Sequence, residues 1–138
     1  MERRRFVCRL PVLSVALVSA SGCSGPPYLR PLSIPGGLRI RSSELGQDGD
    51  AFVQTPEMER PIYLRRGTDG GFTAVLASCT HRGCQPEPVA DRLSCPCHGS
   101  EFAFDGAVLA GPAERPLVQY VVEEQGLELR ILPADRDR

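Results

Sequence analysis

Two short boxes constrain this chain more than any other stretch. They read Cys79-Thr80-His81-Arg82-Gly83-Cys84 and, after ten further residues, Cys95-Pro96-Cys97-His98-Gly99-Ser100. Four of the six cysteines and both histidines lie inside them. Each box places a His two or three positions after a Cys, beside Gly or Pro. Such segments turn tightly, so each box is a loop able to wrap around an ion.

The order C-x-H-x-G-C followed by C-x-C-H-x-S resembles the Rieske family of [2Fe–2S] proteins, and every fixed position of both boxes is present. The resemblance implies one [2Fe–2S] cluster per chain, with Cys79 and Cys95 on one iron and His81 and His98 on the other. Two ferric ions, two sulfides and two thiolates then sum to no net charge, where a four-thiolate cluster is dianionic. A neutral centre accepts an electron more readily. Rieske potentials accordingly span about −150 to +300 mV, against roughly −400 mV for plant-type ferredoxins. The family also implies a Cys84–Cys97 disulfide tying the two loops together, as in respiratory-type members. Rieske ferredoxins that serve ring-hydroxylating oxygenases usually lack that pair, so its presence points to the higher-potential, exported branch.

Further roles follow from the same resemblance. Gly83 and Gly99 match fixed glycines of the boxes, and the Ser100 hydroxyl matches one that donates to a bridging sulfide. Pro112, in Gly111-Pro112-Ala113, matches the proline loop that shields the cluster. For Ser100 a turn-capping role, and for 111–113 a generic turn, are the plainer alternatives. One departure stands out. Many high-potential members have Tyr where this chain has Phe102, and that phenol donates to a cysteine sulfur. Loss of one such bond, roughly 1–2 kcal/mol, lowers the expected potential by about 40–90 mV, to the middle of the range. Two other readings of the boxes compete. A structural zinc site usually shows C-x2-4-C and H-x3-5-H spacings, unlike C-x-H and C-x-x-H here. Two plain disulfides would leave both histidines, both glycines and Ser100 without a role.

Residues 1–22 read as an export signal. Arg3-Arg4-Arg5 precede an apolar run from 10 to 20, broken by Pro11. Arg3-Arg4-Arg5-Phe6-Val7 also fits the twin-arginine pattern, a route suited to a protein folded around its cofactor before export. Ala20-Ser21-Gly22-Cys23 resembles a bacterial lipobox, which would make Cys23 a lipidated first residue. Ordinary signal cleavage near Gly22 is the alternative. A membrane-spanning anchor fits less well, because Arg9 and Pro11 interrupt a stretch that would need about 20 apolar residues. The expected location is exported, in the periplasm or on the extracytoplasmic face of a bacterial membrane, held by a lipid anchor. With Cys8 lost in the signal, one lipidated, two ligating and two bridged cysteines leave no spare thiol.

The remaining chain reads as one domain. Fourteen glycines and 13 prolines favour short strands and turns over long helices. Four prolines between Ser24 and Pro35 suggest that 23–37 is a tether. Residues 38–41 alternate apolar and charged, 51–53 and 60–65 read as further strands, and 72–77 as a core strand delivering the first box. Asp91-Arg92 marks a turn between the boxes, and Asp105-Gly106 a hairpin. Stretches 117–122 and 127–132 flank a turn at 123–126. The expectation is an all-β fold, an antiparallel sandwich or barrel over 38–133, with a small cluster-binding subdomain at about 79–113 and a short tail at 134–138. A net charge of −1 gives no electrostatic case for nucleic acid. The expected function is one-electron transfer as a subunit of, or carrier for, an exported oxidoreductase of a quinol or cytochrome chain. The redox partner is a cytochrome or oxidoreductase subunit, and the donor is left open between protein and quinol. A small Rieske subunit of a molybdenum-type oxidase is the alternative.

Overall fold

The computed structural model describes residues 25–134. The expected signal, the lipobox Cys23 and nearly all of the C-terminal tail lie outside them. Among the described residues twelve strands form two sheets. Strands β1 (Tyr28–Leu29), β2 (Leu32–Ile34), β3 (Gly37–Arg41), β4 (Asp50–Val53), β5 (Ile62–Arg66), β6 (Phe72–Leu76), β11 (Gln119–Gln125) and β12 (Glu128–Pro133) build the larger one. Its order is β1-β4-β5-β6-β11-β12-β3-β2, antiparallel except for the parallel β1–β4 pair.

That order forces the sheet to roll up. β1 and β2 are its two edges, yet only Arg30 and Pro31 separate them in the chain. Three Cα–Cα steps span at most about 11 Å. A flat eight-stranded sheet would hold its edges roughly 34 Å apart, at about 4.8 Å per gap. The sheet is therefore a nearly closed barrel. Within the stretch 23–37 expected as a tether, residues 28–29 and 32–34 form the two edge strands. The prolines misled because an edge strand needs few N–H groups. Here the carbonyls of Pro27 and Leu29 accept from the N–H groups of Phe52 and Gln54 at 2.9 and 3.1 Å. Tyr28 also stacks on Phe52 with ring centroids 4.9 Å apart.

Alternation along β4, β5 and β6 feeds two cores from one set of strands. Val53, Ile62, Leu64 and Ala74 face the barrel interior with Ile40, Leu129 and Ile131. Phe52, Tyr63 and Val75 face the other way, toward Leu93, Phe102 and Leu117. Consecutive side chains of a strand point to opposite faces, so these three strands are buried on both. That explains the unbroken apolar run Ile62-Tyr63-Leu64. The smaller sheet lies over the outward face. It comprises β7 (Glu87–Val89), β8 (Arg92–Ser94), β9 (Glu101–Phe102) and β10 (Val108–Ala110), in the order β10-β9-β8-β7. The turn expected at Asp91-Arg92 falls one residue earlier, at Ala90-Asp91, with Arg92 opening β8, and the hairpin expected at Asp105-Gly106 joins β9 to β10. The terminal hairpin differs from expectation: β11 runs on through Glu123 and Glu124 and turns at Gly126-Leu127. Acidic residues are tolerated there because that end of β11 is largely exposed, and Glu123 pairs with Arg130 at 3.3 Å. Among the described residues no helix is long and apolar enough to cross a membrane.

Candidate metal centre

The loop 77–86 follows β6, and the loop 95–100 joins β8 to β9. Both close in the same way. In the first, Cys79 N–H donates to the Cys84 carbonyl (2.8 Å) and Gly83 N–H to the Cys79 carbonyl (2.7 Å). In the second, Cys95 N–H donates to the Ser100 carbonyl (2.8 Å) and Gly99 N–H to the Cys95 carbonyl (3.0 Å). The fourth residue after each cysteine must be left-handed to complete the turn. Gly83 and Gly99 sit there with φ of +78° and +79°, where a Cβ is disfavoured. The repeated glycine is thus a requirement of the loop geometry.

The matched turns bring the two boxes face to face. Cys84 and Cys97 are joined by a disulfide with Cα atoms 6.4 Å apart. Cys79 and Cys95 carry free thiols, 4% and 2% exposed, at the end of the outward core. Burial, and then the neighbouring Cys79 thiol, push the Cys95 thiol above its ordinary pKa. The His81 and His98 rings meet edge to face at 4.9 Å between centroids, with His98 exposed and His81 half-buried. Among the described residues His81 Nδ1 is the only buried side-chain nitrogen or oxygen without a hydrogen-bond partner. A buried polar atom without a partner is costly, so this nitrogen is built to be occupied by something the chain does not supply. Two inward thiols, two imidazoles and one inward ring nitrogen fit an iron–sulfur cluster. A grouping of the Cys84, Cys95 and Cys97 sulfurs within 4.8 Å of one another is not itself a metal site, because two of them are already bonded.

The surrounding residues hold this arrangement. Ser100 is fully buried, and its Oγ accepts from the Ala113 N–H at 3.0 Å. Thr80 Oγ1 donates to the Arg115 carbonyl at 2.6 Å. Each box is therefore clasped once to the segment 111–115, in which the Gly111–Pro112 peptide is cis and Pro112 itself is exposed. Arg60 Nε donates to the Gly83 carbonyl at 2.8 Å, fastening the first loop to the barrel. Phe102 is fully buried in the same core as Cys79 and Cys95. Below it, Tyr63 donates to the buried Asp50 carboxylate at 2.7 Å, and Arg65 lies 3.6 Å from that carboxylate and 4.2 Å above the Phe104 ring. Burial, then the Asp50 bond, drives the Tyr63 pKa well above its ordinary value. Thr80, Arg60 and the Asp50–Tyr63–Arg65 group escaped the sequence reading. Only Thr80 lay inside a box, and no local pattern connects Arg60 to a loop 23 residues away.

Comparison with known proteins agrees with this geometry. The family model of the Rieske [2Fe-2S] domain matches residues 39–121. The cytochrome b6-f complex iron-sulfur subunit of Chlorobaculum tepidum is 46% identical over 130 residues, covering 88% of this chain and 70% of that protein. Its counterpart in Chlorobaculum thiosulfatiphilum is 37% identical over 133 residues, covering 91% and 72%. The solved structure of a cyanobacterial plasma membrane Rieske protein from Synechocystis PCC 6803 is 33% identical, with a TM-score of 0.51 over 70% of this chain and 86% of that one. With its donor set, its twin glycine turns and its sequence in agreement, this chain belongs to the Rieske [2Fe–2S] family, whose domain carries a [2Fe–2S] cluster.

Proposed function

We propose that this Rieske electron-transfer protein takes electrons from a quinol and passes them to a cytochrome, as a subunit of, or carrier for, an exported quinol-oxidising complex. Cys79 and Cys95 would hold one iron, and His81 and His98 the other. When bound, the cluster supplies one reversible electron. The observation that carries the reading is the orientation of the donors, with thiols inward and imidazoles outward. The buried thiols keep water from the sulfur side, while the exposed His98 ring offers the shortest approach for a partner. The His81 ring turns Nδ1 inward, which leaves Nε2 to hold a proton and to hydrogen-bond a quinol oxygen. The relatedness to cytochrome b6-f iron-sulfur subunits supports a cytochrome-type partner over a molybdenum enzyme.

The test is a redox titration followed by electron paramagnetic resonance on the full chain. A Rieske-type signal is expected, with a midpoint between about −150 and +300 mV. A protein that binds zinc alone, or whose reduced form gives no Rieske signal, would sink the reading. Export and anchoring belong to the same proposal: the Arg3-Arg4-Arg5 region and the lipobox at Cys23 support a lipid-anchored protein on the outer face of the membrane. Mass spectrometry of the native N-terminus should find acyl chains on Cys23. An unmodified Cys23 there would refute the anchor.

A further inference from the structure

Beside the disulfide lies a third sulfur. The Sγ atoms of Cys84, Cys95 and Cys97 all lie within 4.8 Å of one another. Cys84 and Cys97 are bonded, and Cys95 is a free thiol. Their surroundings differ in order: Cys95 is buried, Cys84 half-buried and Cys97 exposed. A thiol held this close to a disulfide is a reactant pair for exchange, which proceeds through attack of one sulfur on another. While the Cys95 sulfur ligates iron it cannot attack. In chain that has not yet taken up its cluster, or has lost it, the same sulfur can.

We infer that Cys95 and the Cys84–Cys97 bridge form a thiol–disulfide exchange site, in which Cys95 attacks the Cys84 sulfur and releases Cys97. The Cys95–Cys84 bond forms and the Cys84–Cys97 bond breaks. The Cys95 proton passes to water, and the departing Cys97 thiolate takes one back. No electron is gained or lost overall, so no outside oxidant or reductant is required. Two features set the direction. Attack on Cys97 would join residues two apart within one tight turn, whereas Cys84 is on the opposite loop. The leaving sulfur also belongs to the exposed residue of the three, on the side where water can solvate its charge. Exchange would remove a cluster ligand and create an exposed thiol at the surface, a handle for small thiols or electrophiles. Cluster occupancy and the native disulfide would then protect each other. A small thiol attacking the Cys84 sulfur frees Cys95 and forms a mixed disulfide, which Cys97 displaces, re-forming Cys84–Cys97 and releasing the small thiol unchanged. The protective part of this inference rests on Cys95 being an iron ligand. The exchange itself rests on the three sulfurs.

The experiment uses the full chain carrying Cys8→Ser and Cys23→Ser, so that only the four box cysteines report. Cluster-loaded and cluster-free samples are treated with iodoacetamide at about pH 9, above the ordinary thiol pKa, without reductant. Peptides are then mapped after acid quenching. Cluster-loaded protein should stay unlabelled at Cys97. Cluster-free protein should become alkylated at Cys97 and yield a Cys84–Cys95 cross-linked peptide, in competition with direct alkylation of the free Cys79 and Cys95 thiols. Cys95→Ser should abolish Cys97 labelling in the cluster-free state, and Cys79→Ser should leave it in place. Absence of Cys97 labelling overturns the inference. So does labelling of Cys84 as often as Cys97, or equal loss in the Cys79→Ser and Cys95→Ser chains, since those patterns mark random exchange in an unfolded chain. Iron content of Cys95→Ser is measured separately. If it retains its iron and Rieske signal, the ligand assignment fails while the exchange result is read on its own.

Discussion

Replacing Ser100 by Ala tests the site at the point where it meets the rest of the subdomain. The Ser100 oxygen is fully buried and accepts the Ala113 N–H at 3.0 Å, one of two clasps between the boxes and the segment 111–115. Ala leaves that buried N–H without an acceptor, which costs about 1–3 kcal/mol. For a domain of this size each kcal/mol lowers Tm by about 4–8 °C. A second effect follows from the direction of the bond. Because the oxygen accepts from Ala113, its own proton is free to donate toward the cluster. A donor favours the more negative, reduced state, so its removal should lower the midpoint potential. Loss of roughly 1–2 kcal/mol corresponds to about 40–90 mV for one electron. Urea unfolding of the Ser100→Ala protein gives the first quantity and film voltammetry the second. A midpoint unchanged to within about 10 mV, far below the expected shift, would refute the donor role. Unchanged stability would refute the clasp.

His81→Ala and Cys95→Ala should each abolish the cluster, read as loss of iron and of the Rieske signal; a variant with full iron would disprove the ligand set. Cys84→Ser with Cys97→Ser should cost about 3 kcal/mol in urea unfolding, from chain entropy across a 13-residue separation. Phe102→Tyr should raise the midpoint by about 40–90 mV if the new phenol reaches a cysteine sulfur, and an unshifted midpoint would show that it does not. Tyr63 binds its proton more tightly folded than unfolded, because burial and the Asp50 bond raise its pKa. Its contribution to stability is complete below the ordinary tyrosine pKa and is lost as pH rises beyond it. Stability should therefore fall by up to about 1.4 kcal/mol per unit above roughly pH 10. Tyr63→Phe should flatten that limb, and an unchanged slope would contradict the assignment.

The chemistry of the centre was legible because it is local. The Cys and His types, their spacing and the two glycines sit within six-residue boxes, and each turn closes through its own backbone, with Gly83 and Gly99 left-handed. Strand alternation was legible for the same reason, and it correctly named β6 as the strand that delivers the first box. What the sequence could not express was pairing between segments far apart. The prolines at 26–35 argue against structure when read alone, yet Pro27 and Leu29 need only offer carbonyls to the edge of β4. That pairing, with β2 on β3, closes the barrel. Only the tertiary structure could set the Thr80 and Arg60 clasps, across 35 and 23 residues, and the buried, partnerless Nδ1 of His81. The residue types of a site are fixed by the atoms they must bind. Their burial and their hydrogen-bond partners are fixed by whichever distant backbone the fold brings against them.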